Sequence, residues 1–357
     1  MAADAVETAL CSGKSLTNRP KNFARSPSLH AHLKSLNSTD SNRSALLFSV
    51  IPHLLNAVSE VSKALRNSQE VSLAGTANSF GDDQLNVDVV AEDLIRASLA
   101  QCPAVRMASS EEDPVERPVS SVVSATSMSE EQYTVAFDPL DGSSIIAPNW
   151  TVGTIVGIWD DGGSALGLSP AKQQIAAVLG VYGPRTTAIV AVRFPGTEGS
   201  CFEVGLTETG CEIVRPDIKL SSSSSQVKTK YFAPANLRAA AEDERYMRLV
   251  SHYIANKYTL RYSGGLVPDV VHALVKGHGI YLSPVTGASK AKLRRLYELC
   301  PLALIVECAG GKAIDPMDGT DILDKEVANC DERGGLICGT AEEVDFARGV
   351  LLGEDQG

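Results

Sequence analysis

The sequence has no excess of positive charge and no long apolar run. Its 32 Lys and Arg residues are outnumbered by 43 Asp and Glu residues, and the formal net charge is -11. Because nucleic-acid-binding proteins usually present a basic face, this charge argues against a nucleic-acid partner. No stretch of about 18 or more apolar residues occurs, so we expect no transmembrane helix and no membrane partner. The first residues also lack a basic segment followed by an apolar one, which argues against a secretory signal.

The sequence is also poor in histidine and has no paired cysteines. It contains 6 His and 8 Cys, and no two Cys form a CxxC motif. Zinc sites in proteins need closely spaced Cys and His ligands, so no zinc site is expected. Scattered cysteines are typical of reduced thiols in a cytoplasmic protein. Import into an organelle stays open, because residues 11–45 are rich in Ser, Asn, Lys and Arg.

The chain length and the mixture of patterns predict an α/β protein with two halves. Helical periodicity covers residues 44–67 and 86–100, and alternating or β-branched runs predict strands at 133–137, 152–159 and 186–194. A further helix is predicted in PAKQQIAAVLG, between the last two of these strands. In the second half we predict helices over 242–256, 268–276, 289–299 and 341–352, and another through PLALIVECA.

The predicted domain boundaries follow the breaks in these patterns. Residues 1–43 are predicted to be a flexible N-terminal arm. Residues 44–210 are predicted to form one α/β domain, and residues 211–357 a second α/β domain. The segments PGTEG and SSSSS lie near the seam between the two halves.

The segment FDPLDGSS, residues 137–144, suggests metal chemistry. It holds Asp138 and Asp141 three residues apart, followed by a Gly-Ser-Ser turn whose backbone N–H groups can face a phosphate. Magnesium prefers oxygen ligands and is often held by a few carboxylates and a substrate phosphate. GDDQLNVD at 81–88 and SSEED at 109–113 add further carboxylates, and Glu307 stands alone in an apolar run.

Each of these features has an ordinary structural interpretation when taken alone. SSEED would be a solvated loop, DPLDG a type I turn with Pro at its second position, and Glu307 a helix residue facing solvent. A carboxylate within apolar sequence is costly to bury unless it is paired or binds a metal. The joint occurrence of the acidic segments with the Gly-Ser-Ser run therefore favours a metal site.

FDPLDGSS resembles the metal-binding signature of the lithium-sensitive phosphatase superfamily. The fuller set of segments resembles the fructose-1,6- and sedoheptulose-1,7-bisphosphatase family, in the family's order from about residue 75 to 340. The matching segments are NSFGDDQLNVD, SSEE, NWTVGTIVGIW, VYGPRTT, FAPANLRA, YTLRYSGGLVPDV, ASKAKLRRLYE and ECAGG. This resemblance implies the layered α-β-α-β-α sandwich of the sugar phosphatase fold. It also implies magnesium-dependent hydrolysis of the 1-phosphate of a sugar bisphosphate, with Mn2+ as a substitute metal.

The resemblance implies that the domain over residues 44–210 binds the metal and that the domain over residues 211–357 binds the sugar and its phosphate. It also assigns a role to individual residues. The implied metal ligands are Asp88, Glu111, Glu112, Asp138, the Leu140 carbonyl, Asp141 and Glu307. The implied catalytic residues are Asp82, which assists the leaving group, and Asp88 and Glu112, which together orient and deprotonate the attacking water. The implied substrate-binding residues are Asp141, Gly142, Ser143, Ser144, Asn236, Arg261, Tyr262 and Lys292. The family's arginine at the Arg261 position reaches across a subunit interface, which implies a homodimer or homotetramer.

Several positions indicate which branch of the family is most similar. The sedoheptulose branch is favoured by NSFGDDQL, VGTIVGIW, GVYGPRTT and KYTLRYSGGLVPDV, and by Ser283, where fructose-bisphosphatases typically have tyrosine. Gln132 replaces a lysine linked to AMP, and Ala147 stands where the family usually has aspartate. Fructose 1,6-bisphosphate or dual use of both sugars remains an alternative substrate assignment. An inositol-phosphatase-like enzyme and an inactive metal-binding regulatory homologue are further alternatives.

Overall fold

The computed structural model describes residues 23, 26–37, 43–77, 83–120, 131–222 and 227–353. The first and larger sheet has eight strands in the order β10-β9-β8-β7-β6-β5-β3-β4. These strands are β3 (Val105–Ser110), β4 (Arg117–Pro118), β5 (Tyr133–Asp141), β6 (Val152–Asp160), β7 (Gln174–Tyr182), β8 (Thr186–Val192), β9 (Ser200–Leu206) and β10 (Cys211–Arg215). Strands β5 to β10 form an antiparallel meander, whereas β3 runs parallel to β5.

The second sheet has five strands in the order β12-β11-β13-β17-β15. These are β11 (Tyr231–Pro234), β12 (Thr259–Leu260), β13 (Ile280–Ser283), β15 (Lys312–Ile314) and β17 (Leu336–Gly339). Strands β12, β11 and β13 are mutually parallel, so their carboxyl ends lie at one edge of the sheet. Two short antiparallel pairs join β1 (Leu73–Ala77) to β2 (Asp83–Leu85) and β14 (Leu293–Arg294) to β16 (Arg333–Gly334).

Helices fill the layers outside and between the two sheets. The α-helices are α1 (Pro27–Leu36), α2 (Ile51–Asn67), α3 (Asn86–Leu99), α4 (Ser143–Ile146), α5 (Pro170–Gln173), α6 (Glu244–Ala255), α7 (Leu266–Lys276), α8 (Cys300–Cys308) and α9 (Ala341–Leu352). Leu46–Val50 and Arg295–Leu299 are π-helical turns that lead into α2 and α8. None of the helices in the described part of the chain is long and apolar enough to span a lipid bilayer.

Three apolar clusters fix the order of the layers. The first cluster joins α2 and α3 to one face of the larger sheet, through residues such as Leu54, Val58 and Val178. The second cluster lies between the two sheets and contains the buried faces of α7 and α8. The third packs α6 and α9 against the far face of the smaller sheet. The predicted α-β-α-β-α arrangement is thereby confirmed, and the burial of apolar faces on both sides of each sheet explains it.

Residues 1–43 are predicted to be a flexible arm, and the structure corrects this for the part that it describes around residues 26–37. Helix α1 begins after Ser26, whose side chain accepts a hydrogen bond from the Leu29 N–H and donates one to the Cys211 carbonyl at 2.7 Å. Leu29 and Leu33 are fully buried in the first apolar cluster. This part of the segment is therefore docked, because its apolar side chains repeat at helical spacing.

Two further local predictions differ from the structure. Within PAKQQIAAVLG only Pro170–Gln173 is helical, and the rest belongs to strand β7, which is buried along nearly all its length. A short apolar run gives no periodicity that separates a central strand from a buried helix. Within 289–299, Leu293 and Arg294 form strand β14. Strand β10 pairs with β9, so the larger sheet extends to Arg215, just past the boundary predicted at residue 210. That domain boundary stays a prediction.

Candidate metal centre

The candidate site lies at the carboxyl ends of two parallel strands. Residue Ser110, the last of β3, pairs with Phe137 in β5. Glu111 follows directly, and its N–H donates to the Phe137 carbonyl at 3.0 Å. Asp138 comes next after Phe137, so the parallel register brings the SSEED and FDPLDGSS segments together. The sequence shows both segments, but only the strand pairing makes them neighbours.

Three carboxylates form a tight cluster at this point. One oxygen each from Glu111, Asp138 and Glu298 lie within 4.8 Å of one another. Asp138 and Glu298 are only 5% and 6% exposed, so water screens their charges poorly. Buried like charges at this spacing repel one another unless a cation lies among them. The donor set consists of hard oxygen ligands, which suits a divalent ion such as magnesium.

The pKa values of the cluster indicate the same need for a cation. Burial raises the pKa of Asp138 well above its usual value, and the charges of Glu298 and Asp141 raise it further. Burial raises the pKa of Glu298 to about 8, although the Arg294 N–H donates to its carboxylate. A bound divalent cation would favour the ionised form of both groups.

Asp88 supplies an oxygen that lacks a protein partner. It lies in the first turn of α3, where its Oδ2 accepts the Leu85 N–H at 2.9 Å. Its Oδ1 is buried and has no hydrogen-bond partner among the described residues. Burial raises the pKa of Asp88 to about 7, and the charge of Glu112 contributes to the increase. An orphaned buried carboxylate oxygen is costly, and coordination to a metal would remove the cost. The residues present therefore fit a divalent metal.

Glu112 lies beside this group and is held by a side chain that the sequence analysis did not select. Gln84 donates its side-chain N–H to Glu112. The negative charge of Glu112 raises the pKa of Asp88, so the two carboxylates are close enough to interact electrostatically. Their joint catalytic role stays a prediction. Asp82, the predicted leaving-group residue, lies outside the described residues.

Asp141 links the larger sheet to the second half of the chain. Its Oδ2 accepts the Val267 N–H at 2.7 Å and its Oδ1 accepts the Leu266 N–H at 3.2 Å. Both donors belong to the first turn of α7, where a helix favours negative charge. Burial nevertheless raises the pKa of Asp141 to about 6. The contact fixes the position of one half of the chain against the other at the site.

The small-residue turn after Asp141 depends on glycine. Gly142 has φ of 103°, and a Cβ there would lie 3.0 Å from Val152 Cγ1. A residue with a side chain would be strained in this left-handed conformation. The Ser143 and Ser144 side chains are exposed, and Ser143 Oγ lies 3.5 Å from the Leu140 carbonyl oxygen. The turn thus stays accessible directly beside buried carboxylates.

Glu307, a predicted metal ligand, lies outside the cluster, and Glu298 takes its place. Glu307 Oε2 forms an ion pair with Arg193 Nη1 at 2.6 Å. Glu307 comes nine residues after Glu298, and at about 1.5 Å of rise per residue this separation corresponds to roughly 13.5 Å along the helix. The apolar run of α8 made Glu307 conspicuous, although an arginine on the neighbouring sheet neutralises it. The signal for Glu298 was the acidic end of the segment ASKAKLRRLYE.

Arg294 is a second residue that the sequence analysis missed. Its guanidinium is almost fully buried and forms ion pairs with Glu111 and, at 3.6 Å, with Asp331. Its backbone N–H donates to Glu298. Arg294 therefore supplies positive charge at the rim of the acidic cluster and orients two of its carboxylates.

The predicted sugar-binding residues lie at the edge of the smaller sheet. Asn236 follows β11, and its side-chain N–H donates to the Pro284 carbonyl at 2.8 Å. Arg261 and Tyr262 follow β12, and Asp269 accepts the N–H groups of the next two residues. Lys292 is exposed and precedes β14. An open cleft of about 1300 Å3 is lined in part by Ala147, Arg261 and Tyr262.

Comparison with known proteins agrees with this architecture. The description "Fructose-1-6-bisphosphatase, N-terminal domain" matches residues 30–208, and "Fructose-1-6-bisphosphatase, C-terminal domain" matches residues 225–351. The Chlamydomonas reinhardtii chloroplastic sedoheptulose-1,7-bisphosphatase is 38% identical over 296 residues, covering 82% of this chain and 71% of the relative. The Syntrophotalea carbinolica class 1 fructose-1,6-bisphosphatase is 35% identical over 311 residues, covering 85% and 90%.

A solved structure gives the same result. A Toxoplasma gondii protein described as a sedoheptulose-1,7 bisphosphatase superposes with a TM-score of 0.80 and 33% identity, covering 92% of this chain and 99% of that one. The fold and these matches define a phosphoric monoester hydrolase that acts on sugar bisphosphates. The chain belongs to the fructose-1,6-bisphosphatase family, whose enzymes use divalent metals.

Proposed function

We propose that the protein hydrolyses the 1-phosphate of sedoheptulose 1,7-bisphosphate to sedoheptulose 7-phosphate and inorganic phosphate, with Mg2+ as its metal. The observation that carries the metal-dependent chemistry is the buried cluster of Glu111, Asp138 and Glu298 beside the unpartnered Asp88 Oδ1. The sedoheptulose relatives at 38–40% identity support the choice of the seven-carbon sugar. Mn2+ would substitute for Mg2+, because it accepts the same oxygen donors.

The proposed metal ligands are carboxylates from four segments and one carbonyl. They are Asp88, Glu111, Glu112, Asp138, the Leu140 carbonyl, Asp141 and Glu298. When bound, the metal ions neutralise the phosphate charge and lower the pKa of a bound water. Asp88 and Glu112 orient the attacking water and accept its proton. Gly142, Ser143 and Ser144 hold the reacting phosphate through the turn that Gly142 makes accessible.

The rest of the substrate would extend toward the edge of the smaller sheet. Asn236 and Tyr262 would contact the sugar hydroxyls, and Lys292 and Arg261 would bind the distal phosphate. Arg261 is exposed and forms no ion pair with a carboxylate among the residues that the structure describes. An exposed arginine in this position suits a site completed between subunits, so we propose a homodimer or homotetramer. Asp82 is proposed to assist the leaving group.

Phosphate release by the purified protein tests this proposal. Sedoheptulose 1,7-bisphosphate and fructose 1,6-bisphosphate would be compared at matched concentrations, with Mg2+, with Mn2+ and after chelation. We expect metal-dependent turnover and a higher kcat/KM for the seven-carbon sugar. Metal-dependent turnover with equal or reversed preference would support a second candidate function, a fructose-type or dual-specificity bisphosphatase. The 35% identity to a class 1 fructose-1,6-bisphosphatase favours this second candidate. Absence of turnover on both sugars would contradict the catalytic proposal.

A further inference from the structure

Arg238 is an arginine at the sugar-binding edge that has no assigned role. It lies in the 3-10 helix Leu237–Ala241, which begins directly after Asn236. Its side chain is exposed. Among the residues that the structure describes, no carboxylate forms an ion pair with Arg238, and no hydrogen-bond partner is found for its guanidinium. By contrast, Arg193 is paired with Glu307 and Arg294 with Glu111.

The topology of the smaller sheet places Arg238 with the predicted sugar-binding residues. The carboxyl ends of β12, β11 and β13 meet at one edge. Arg261 and Tyr262 follow β12, Asn236 and Arg238 follow β11, and Ser283 ends β13. Ligands of open α/β sheets bind outside the carboxyl ends of parallel strands. Arg238 is therefore at the edge where a ligand of this sheet is expected.

Specific contacts hold the Arg238 turn against this edge. The Asn236 side chain donates to the Pro284 carbonyl at 2.8 Å, which ties the start of the turn to the end of β13. The Tyr246 hydroxyl donates to the Ala235 carbonyl at 2.8 Å from the helix behind. Asn236 itself has φ of 50°, so the chain turns sharply immediately before Leu237. The backbone that carries Arg238 is thus fixed by the same contacts that fix Asn236.

The guanidinium of Arg238 is also electrostatically close to Tyr262. Burial and the charge of Asp269 raise the pKa of the Tyr262 phenol, and the positive charge of Arg238 opposes that increase. Ser283, which has a small side chain, ends the neighbouring strand β13. A cation without a carboxylate partner, near Tyr262 and Asn236, is suited to bind a phosphate, because guanidinium matches phosphate oxygens bidentately.

We propose that Arg238 is a substrate-binding residue that holds the distal phosphate of the sugar bisphosphate. This inference rests on the proposed function, because it assumes that the reacting phosphate lies at the Gly142 turn. Arg238 then contributes to binding of the bisphosphate and of the product, which retains the distal phosphate. It makes no contact with the reacting phosphate, so it leaves the chemical step unchanged.

The test compares Arg238→Ala, Arg238→Lys and a matched control, Arg248→Ala, which removes an exposed arginine from α6. Binding of sedoheptulose 7-phosphate and of fructose 6-phosphate is measured by calorimetry, and steady-state kinetics are measured with the two bisphosphates and with fructose 1-phosphate. Loss of a charge-assisted hydrogen bond should weaken binding of the product phosphates by about tenfold to a hundredfold. KM for a bisphosphate should rise to a similar extent with kcat unchanged, and turnover of fructose 1-phosphate should not change.

The other variants separate charge from structure. Arg238→Lys should recover part of the affinity, and Arg248→Ala should match the unmodified protein. Unchanged binding of both product phosphates by Arg238→Ala would overturn the assignment, as would an equal loss on fructose 1-phosphate. Failure of the proposed function is a different result: no bisphosphate is hydrolysed, while sugar-phosphate binding and its dependence on Arg238 persist.

Discussion

Replacement of Glu298 by glutamine is the sharpest test of the metal centre. The structure places Glu298 in the carboxylate cluster, whereas the sequence analysis selected Glu307 as the metal ligand. The substitution removes one negative charge from three carboxylates whose oxygens lie within 4.8 Å of one another. The glutamine carbonyl oxygen can still accept the Arg294 N–H, so the fold should be preserved. The change therefore isolates the charge that a metal would need.

The size of the effect follows from electrostatics at the cluster. Two unit charges about 4 Å apart interact by about 4 kcal/mol at an effective dielectric constant of about 20. Since each 1.36 kcal/mol corresponds to a factor of ten, Glu298→Gln should lower kcat/KM by about 10²- to 10³-fold at limiting Mg2+. Higher Mg2+ should restore part of the activity if the loss is in metal affinity.

The control is Glu307→Gln, which removes the charge that pairs with Arg193. This pair is partly exposed, with side chains 22% and 25% accessible, so its loss should cost about 1 kcal/mol or less of stability. The assay is phosphate release over a Mg2+ titration, with the melting temperature measured in parallel. Near-normal Mg2+ dependence of Glu298→Gln, together with loss of activity in Glu307→Gln, would refute the reasoning and restore the assignment made from the sequence.

Three further predictions concern the surroundings of the site and the docking of α1. Asp141→Asn leaves one side-chain acceptor for the two N–H groups of α7, so we expect activity to fall more than tenfold and the free energy of unfolding to fall by about 1–2 kcal/mol. Phosphate release and thermal unfolding measure these two effects, and full activity would contradict the assignment of the metal site. Gly142→Ala should cost about 1–3 kcal/mol in urea unfolding, because φ is 103°, and a neutral effect would exclude strain there. Burial lowers the pKa of His32 in docked α1, where the centroid of its ring lies 4.4 Å from that of Phe202. Because the ring takes up a proton more readily when α1 is undocked, pH values below the ordinary pKa of about 6.5 should favour undocking. After correction for the slower intrinsic exchange at low pH, the protection factors of amides in residues 27–36 should therefore be lower at pH 5 than at pH 7.5, and His32→Gln should show less of this difference.

The local sequence determined most of the elements and most of the carboxylates at the site. Helices with clear periodicity, such as those at 51–67 and 341–352, needed no tertiary information, because amphipathic spacing specifies them directly. Asp138 and Asp141 were identified because a fixed short motif carries both carboxylates and the glycine turn. The docked helix α1 was missed because its polar composition outweighed the spacing of Leu29 and Leu33. Strand β7 was missed because a strand buried on both faces has no alternation to detect.

Tertiary structure alone decided which distant residues meet. The parallel pairing of β3 with β5 brings Glu111 to Asp138, and α8 with its preceding turn brings Glu298 rather than Glu307 to them. The ion pair that neutralises Glu307 comes from Arg193, more than a hundred residues away in the chain, so no local pattern could reveal it. The sequence by itself determined the chemical kind of each candidate residue, since composition and short motifs fix carboxylates, glycines and cations. Which of those carboxylates share one buried cluster depended on strand register and helix placement, because the energy of a buried charge is set by its neighbours in space.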